Sequence, residues 1–344
     1  MLRIISFIIA GIAFLASASV QAEPPALAPD APDSYTVVKG DTLWGISGRF
    51  LKDPWRWPEV WEMNGEQIQN PHLIYPGQIV VLDRSGPYLR IGKRVGGGSA
   101  GAVGDGKLQP KVYQTPVKEA IPTIPLKAIA PFLTRPLAID ERSLREAATI
   151  VATETHRVYL GQGDAIFAKD VDEDVDKWAI FQAAKPLVDP VSKKVLAYEA
   201  RYLGSARVTE RTDPVTLEIV EAVQEIGVGD KMLPAEGELI FSYAPHAPTN
   251  DINARLVSIH NGVSEAGKLS VVVVSAGRLD GLEPGNVLAM FRDRGVAVHE
   301  KQTYRLPEKR YGIVLVFRVF DNVSYALIMD TDGQAAIGDL LRNP

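Results

Sequence analysis

The feature that most constrains the fold is the punctuation of the region from about Leu137 to the C-terminus. Short β-type runs alternate there with Gly-Asp and Asp-Gly pairs. Leu269-Ser270-Val271-Val272-Val273-Val274 and Ile313-Val314-Leu315-Val316-Phe317 are β-branched runs of strand length, suited to a pleated surface. Pro284-Gly285 and Asp332-Gly333 are tight-turn pairs, since Pro presets φ and Gly accepts positive φ. One short helix is expected at Glu141 to Ala148, capped by Asp140. The region is therefore expected to be mainly β.

It also repeats itself. "YLGQGDAIFAKD" (159–170) resembles "GLEPGNVLAMFRD" (281–293), with an apolar strand leaving a Gly-Asp or Gly-Asn turn in both. "YLGSARVTERTDPVTLEIVEAVQEIGVGDKMLP" (202–234) resembles "YGIVLVFRVFDNVSYALIMDTDGQAAIGDLLRNP" (311–344). Duplication of a small β-unit is the simplest account, giving two barrel-like units at 137–240 and 252–344.

The N-terminus reads as a targeting segment. Arg3 precedes an uncharged run from Ile4 to Val20, and Val20-Gln21-Ala22 is a small-residue cleavage site. Residues 1–22 are expected to be a signal peptide cut after Ala22, giving a periplasmic or secreted chain that meets a membrane only through that segment. With no cysteine, neither a disulfide framework nor thiol chemistry is available. The formal charge of −5 argues against nucleic acid as a partner, because phosphates demand a basic face. Residues 23–33 read as a Pro-rich linker. Residues 83–136 read as a second linker, with "GGGSAGAVGDGK" at 96–107 and a proline-rich stretch at 110–136, where neither helix nor central strand is expected.

Between the linkers lies a compact segment, 34–82. Tyr35 to Val38 reads as a strand that turns at Gly40. Asp41 and Thr42 are both able to accept from the free amides of a helix start. Leu43, Ile46 and Phe50 fall on one helix face. Pro58 suits the first turn of a second helix, Tyr75-Pro76-Gly77-Gln78 suits a type II turn, and Ile79 to Leu82 closes as a strand. The order is β-α-α-β.

"YTVVKGDTLWGISGRF" followed by "WPEVWEMNGEQIQNPHLIYPGQIVVL" resembles the LysM domain, a module that binds N-acetylglucosamine-containing glycans such as peptidoglycan. The resemblance rests on V-K-G-D-T-L-W-x-I, W-x-x-N, N-P-x-x-I-Y-P-G-Q and the final apolar strand, in that order. It implies a groove between two loops, formed by Gly40, Asp41, Thr42, Leu43, Pro71, Leu73, Ile74 and Tyr75, whose main-chain groups would meet sugar acetamides. The inter-helix stretch "LKDPWRWPEVWEMN" is longer and richer in Trp than the family pattern. Trp44 and Trp61 are expected in the core, and Trp55 and Trp57 are expected to be exposed.

Catalysis finds little footing. The five histidines form neither H-x-H nor H-E-x-x-H and read as solvated loop residues, so no metal or cofactor site is expected. The acidic cluster Asp170, Asp172, Glu173, Asp174 and Asp176 reads as a solvated loop. "G-x-x-x-G-L-x-P-G-N-V-L" and the final "I-G-D" resemble the carboxy-terminal β-domain of the flagellar assembly protein T family. The sequence is thus expected to encode a multidomain, non-catalytic binder: a small LysM unit, a linker and two repeated barrel-like units. Peptidoglycan or a related polymer is the expected partner, and residues 137–344 are available to an envelope protein. The alternatives are a wall hydrolase targeted by its LysM unit and an assembly factor for an envelope machine.

Overall fold

The computed structural model describes residues 24–62, 74–84, 88–92, 121–133, 138–154, 160–235, 244–260, 265–300 and 302–344; the expected signal segment lies outside them. The N-terminal unit places β1 (Ser34–Thr36), α1 (Leu43–Phe50), α2 (Trp57–Glu62) and β2 (Ile79–Asp83) in the expected order. Leu43, Ile46 and Phe50 share a core with Val37, Trp57, Val60, Ile74, Val80 and Leu82.

The sheet runs past the expected boundary at Leu82, because β3 (Tyr88–Gly92) pairs with β2 from Ile79↔Gly92 to Asp83↔Tyr88. Residues 24–33 are docked, with a turn closed by the Ala31 N–H to Ala28 carbonyl bond at 3.1 Å. Ala28 N–H donates to the Phe50 carbonyl at 2.9 Å, Lys52 N–H donates to that of Ala26 at 2.9 Å, and Leu27 packs on the core. The proline-rich stretch does hold a helical turn, α3 (Leu126–Ile129), continued as 3-10 helix to Phe132. Pro125 stands at its start, where a missing N–H costs little.

The first β-region opens with β4 (Ala138–Ile139) and α4 (Glu141–Glu146). Asp140 caps α4 as expected, accepting from Ser143 N–H at 2.8 Å and from its hydroxyl at 2.6 Å. The strands that follow are β5 (Ala148–Thr153), β6 (Ala165–Lys169), β7 (Lys177–Val188), β8 (Val195–Glu210), β9 (Val215–Ala222) and β10 (Lys231–Pro234). They pair in the order β8-β7-β10-β5-β6-β9, and β9 returns to β8, which closes the ring; β4 lies on β8.

The second region contains β11 (Asn253–Ile259), β12 (Glu265–Ala266), β13 (Val271–Val274), β14 (Val287–Arg292), β15 (Val296–His299), β16 (Gln302–Arg305), β17 (Lys309–Val319), β18 (Ser324–Thr331), β19 (Ala335–Ala336) and β20 (Leu340–Arg342). Here β11-β13-β18-β17-β14-β20 form a closed barrel, while β12 pairs with β19 and β15 with β16.

The two rings have the same connectivity. Matching β5, β6, β7, β8, β9 and β10 to β11, β13, β14, β17, β18 and β20 reproduces every neighbour. Registers agree as well. Ile180↔Gly204 steps to Phe181↔Tyr202 across a bulge, and Met290↔Gly312 steps to Phe291↔Arg310 across its counterpart. Ser205↔Glu221 steps to Ala206↔Ile219, as Ile313↔Asp330 steps to Val314↔Ile328.

This corrects half of the sequence alignment. The sequence comparison sets the strand leaving Gly163-Asp164, β6, against the strand leaving Gly285-Asn286, β14. The pairing places β7 there instead, with Ala179-Ile180-Phe181 in the position of Ala289-Met290-Phe291. The 202–234 and 311–344 segments do occupy equivalent strands.

The second barrel is apolar on both faces of β13 and β17, the two strands that flank β18. On β13, Val272 and Val274 fill the interior while Val271 and Val273 face outward; on β17, Val314 and Val316 fill it while Ile313, Leu315 and Phe317 face outward. The outward residues are buried beneath Ile124, Ile129, Phe132 and Leu133, Trp44 and Trp55 of the N-terminal unit, and Leu187 and Ala197 of the first ring. Arg310 also reaches Asp53 at 3.2 Å. Among the described residues no helix is long and apolar enough to cross a membrane.

Candidate functional site

The turn after β1 is Val38-Lys39-Gly40-Asp41. Asp41 N–H donates to the Val38 carbonyl at 3.2 Å, and the Asp41 carboxylate accepts Val38 N–H at 2.8 Å. Gly40 has φ of +98°, the left-handed value that the third residue of a type II turn requires. The carboxylate also accepts the Tyr35 hydroxyl at 3.1 Å. Burial and this bond hold the Tyr35 phenol above its ordinary pKa.

Asp41 therefore closes the turn rather than capping the helix. The cap is Thr42, whose Oγ1 accepts Gly45 N–H at 3.0 Å. The second bend, Tyr75-Pro76-Gly77-Gln78, has the same construction. Gln78 N–H donates to the Tyr75 carbonyl at 3.2 Å, Gln78 Oε1 accepts Tyr75 N–H at 2.7 Å, and Gly77 has φ of +92°.

Val37 joins the bends. Its N–H donates to the Gln78 carbonyl at 2.9 Å, and its carbonyl accepts Gly77 N–H at 2.7 Å. The expected meeting of the two loops is thus a pair of main-chain bonds. The same side-chain-locked turn recurs in the barrels at 161–164, 227–230, 283–286 and 336–339. The Gly-Asp pairs there are turn chemistry, and Asp339 in addition accepts the Tyr311 hydroxyl at 2.6 Å.

Of the eight residues implied by resemblance, Gly40, Asp41, Thr42, Leu43, Ile74 and Tyr75 surround these two bends, while Pro71 and Leu73 lie outside the described residues. The side chains of Leu43 and Ile74 are fully buried, so what they offer a ligand is main chain. Thr42 accounts for the Gly45 amide, which leaves the amides of Leu43 and Trp44 pointing out of the first turn of α1.

Both are engaged by a segment of the expected 83–136 linker. Leu43 N–H donates to the Pro122 carbonyl at 3.1 Å and Trp44 N–H to the Thr123 carbonyl at 3.1 Å. Ile121 N–H donates to the Ile74 carbonyl at 2.8 Å. Ile121 is buried in the N-terminal core, and Ile124 is buried with Trp44 against the second barrel. The only local signal was the Ile-Pro-Thr-Ile-Pro run itself. Its prolines lack N–H groups, so it presents more acceptors than donors, the complement of a helix N-terminus.

The tryptophans depart from expectation. Trp57 is 1% exposed and belongs to the core, and Trp55 packs against the outer face of the second barrel. The enlarged loop thus turns one indole, Trp57, into its own core and lays the other, Trp55, on the apolar barrel wall. Trp44 is buried, as expected, but in the cluster shared with that barrel. The Trp61 side chain lies outside the description.

Among the histidines, His260 departs from the solvated expectation. Its ring stacks edge-on against Phe132 with centroids 4.7 Å apart, and burial lowers its pKa, opposed by Glu199 and assisted by Lys185. In the acidic loop, Asp176 pairs with Arg211 at 2.8 Å.

The family-model comparison falls on this unit. A Bacillus subtilis (strain 168) protein described as "Uncharacterized protein YqbP" is 42% identical over 57 residues, an alignment covering 14% of this chain and 26% of that protein. The family model that matches is that of the LysM domain, over residues 35–83. The flagellar assembly protein T resemblance of the C-terminal region rests on its motifs alone. Residues 35–83, with their two interlocked bends, are a LysM domain.

Proposed function

We propose that the chain is a non-catalytic glycan-binding protein of the cell envelope. In this reading its LysM domain grips peptidoglycan and thereby anchors the two barrels. LysM domains as a class bind peptidoglycan or chitin-like N-acetylglucosamine polymers, and the match over 35–83 supports that kind of partner here. The observation that carries the reading is the lane between the bends. Two outward amides, Leu43 and Trp44, face the Ile74 carbonyl across a width that one short peptide segment bridges. An acetamido group is itself a secondary amide, with one carbonyl acceptor, one N–H donor and a methyl. It suits the same three main-chain groups, and a neutral, shallow site of this kind gains modest net free energy per bond.

Export to the periplasm rests on the N-terminal sequence pattern. Tandem duplication of the barrels is supported by their common connectivity, registers and bulges. Co-sedimentation with insoluble peptidoglycan tests the proposal. The full chain is expected to pellet and a chain lacking residues 34–82 to stay soluble; equal pelleting by the two moves the site elsewhere.

A further inference from the structure

Segment Ile121–Ile124 lies where the proposed ligand would lie. It uses the groups that ligand would use: its carbonyls take the Leu43 and Trp44 amides, and its Ile121 N–H takes the Ile74 carbonyl. Its side chains supply the apolar contact, with Ile121 at 5% and Ile124 at 8% exposure. Beyond Pro125, α3 and the turn to Phe132 are fixed to the second barrel. Ile129 is fully buried, and the Arg318 guanidinium donates to the Phe132 carbonyl at 2.9 Å. The strap is thus held at one end by the barrel and lies across the groove at the other.

We propose that Ile121–Ile124 is an intramolecular competitor that occupies the glycan groove and must leave before an acetylated sugar enters. The inference rests on the glycan-binding reading. A main-chain amide donates fully to one acceptor, so the Leu43 and Trp44 amides cannot serve strap and acetamide together. Glycan affinity is then reduced by the fraction of molecules in which the groove is open. Any partner that pulls on the second barrel face where α3 sits changes that fraction, which couples the barrels to the LysM domain.

The test is calorimetric titration of the full chain with the N-acetylglucosamine hexamer. Wild type is compared with an Ile121→Ala/Ile124→Ala double variant and with a chain carrying Gly-Ser-Gly-Ser at 121–124. Releasing the strap is expected to tighten binding by about tenfold or more, on the order of one lost hydrogen bond and its packing. Equal affinities would overturn the competition while leaving glycan binding intact. Absence of binding in all three would overturn glycan binding and, with it, the competition.

Wild-type hydrogen exchange supplies a measurement that does not depend on the variants folding. Saturating hexamer is expected to speed exchange of the Ile121 amide while the Leu43 and Trp44 amides stay protected. An Ile121 amide that remains protected in the saturated complex makes the strap a permanent part of the domain.

Discussion

Gly204 and Gly312 hold the same place in the two barrels, and replacing each with alanine probes whether that equivalence is physical. A Cβ on Gly204 would overlap the Glu221 carbonyl oxygen, a backbone atom set by the β8–β9 pairing, and lie 3.0 Å from Ile226 Cδ1. A Cβ on Gly312 would overlap the flexible end of Met290 and lie 2.7 Å from the Asp330 carbonyl oxygen. Overpacking costs about 1–3 kcal/mol, and opening a strand pair forfeits about 1 kcal/mol per hydrogen bond. The usual gain from replacing a strand glycine, about 0.5–1 kcal/mol, is smaller. Gly204→Ala is therefore expected to cost about 3 kcal/mol. Gly312→Ala should cost about 2 kcal/mol, because methionine yields more readily than a carbonyl. For a domain of about 60–100 residues each kcal/mol moves Tm by about 4–8 °C, so the Gly204 variant should melt at least 10 °C lower, on the order of the product of those figures. Differential scanning calorimetry of the full chain reads both. If both variants melt within about 2 °C of wild type, or only one is sensitive, the shared bulge is not the constraint claimed here.

Other expectations follow from single contacts. Asp41→Ala removes acceptors for Val38 N–H and the Tyr35 hydroxyl and should cost about 1–2 kcal/mol in urea unfolding, with Asp41→Asn milder; equal loss in both would make the charge, not the turn geometry, decisive. Trp55→Ala should lower stability by about 2 kcal/mol through lost packing on the barrel and leave hexamer affinity unchanged; a tenfold affinity loss would place Trp55 in the glycan site. Burial holds the half-buried His260 imidazole below its ordinary pKa of 6.5. The unfolded chain therefore binds more protons in that window. The stability this contributes is present in full above 6.5 and is lost as pH falls through the depressed value. His260→Gln should flatten the decline in urea midpoint between neutral pH and about pH 5; an unchanged slope would assign the acid sensitivity elsewhere.

What the sequence disclosed was local. Gly40, Asp41 and Thr42 announced a turn into a helix, although which acceptor serves which amide is set by the folded chain. Pro76-Gly77 announced the second bend, and Asp140 its helix. What it withheld was long-range. Ile121–Ile124 reads as linker because nothing nearby competes for its carbonyls; only the fold brings α1 to it. The Trp55 expectation failed for a related reason, whereas Trp57 turned into the core of its own unit. Every position of Val271–Val274 and Ile313–Phe317 is apolar, the mark of a strand buried on both faces, and that outer face needed a cover. The common ring connectivity was legible where strands are long, at 202–234 and 311–344. The match slipped by one strand where Gly163-Asp164 and Gly285-Asn286 open similar apolar runs.

The most direct test is an amide-resolved NMR titration of the strap-released full chain with N-acetylglucosamine oligomers. The Leu43 and Trp44 amides and the resonances flanking Ile74 should shift together and saturate at one affinity. If they stay still, or if the shifts fall on the barrels instead, the groove between the two bends is not where this protein meets carbohydrate.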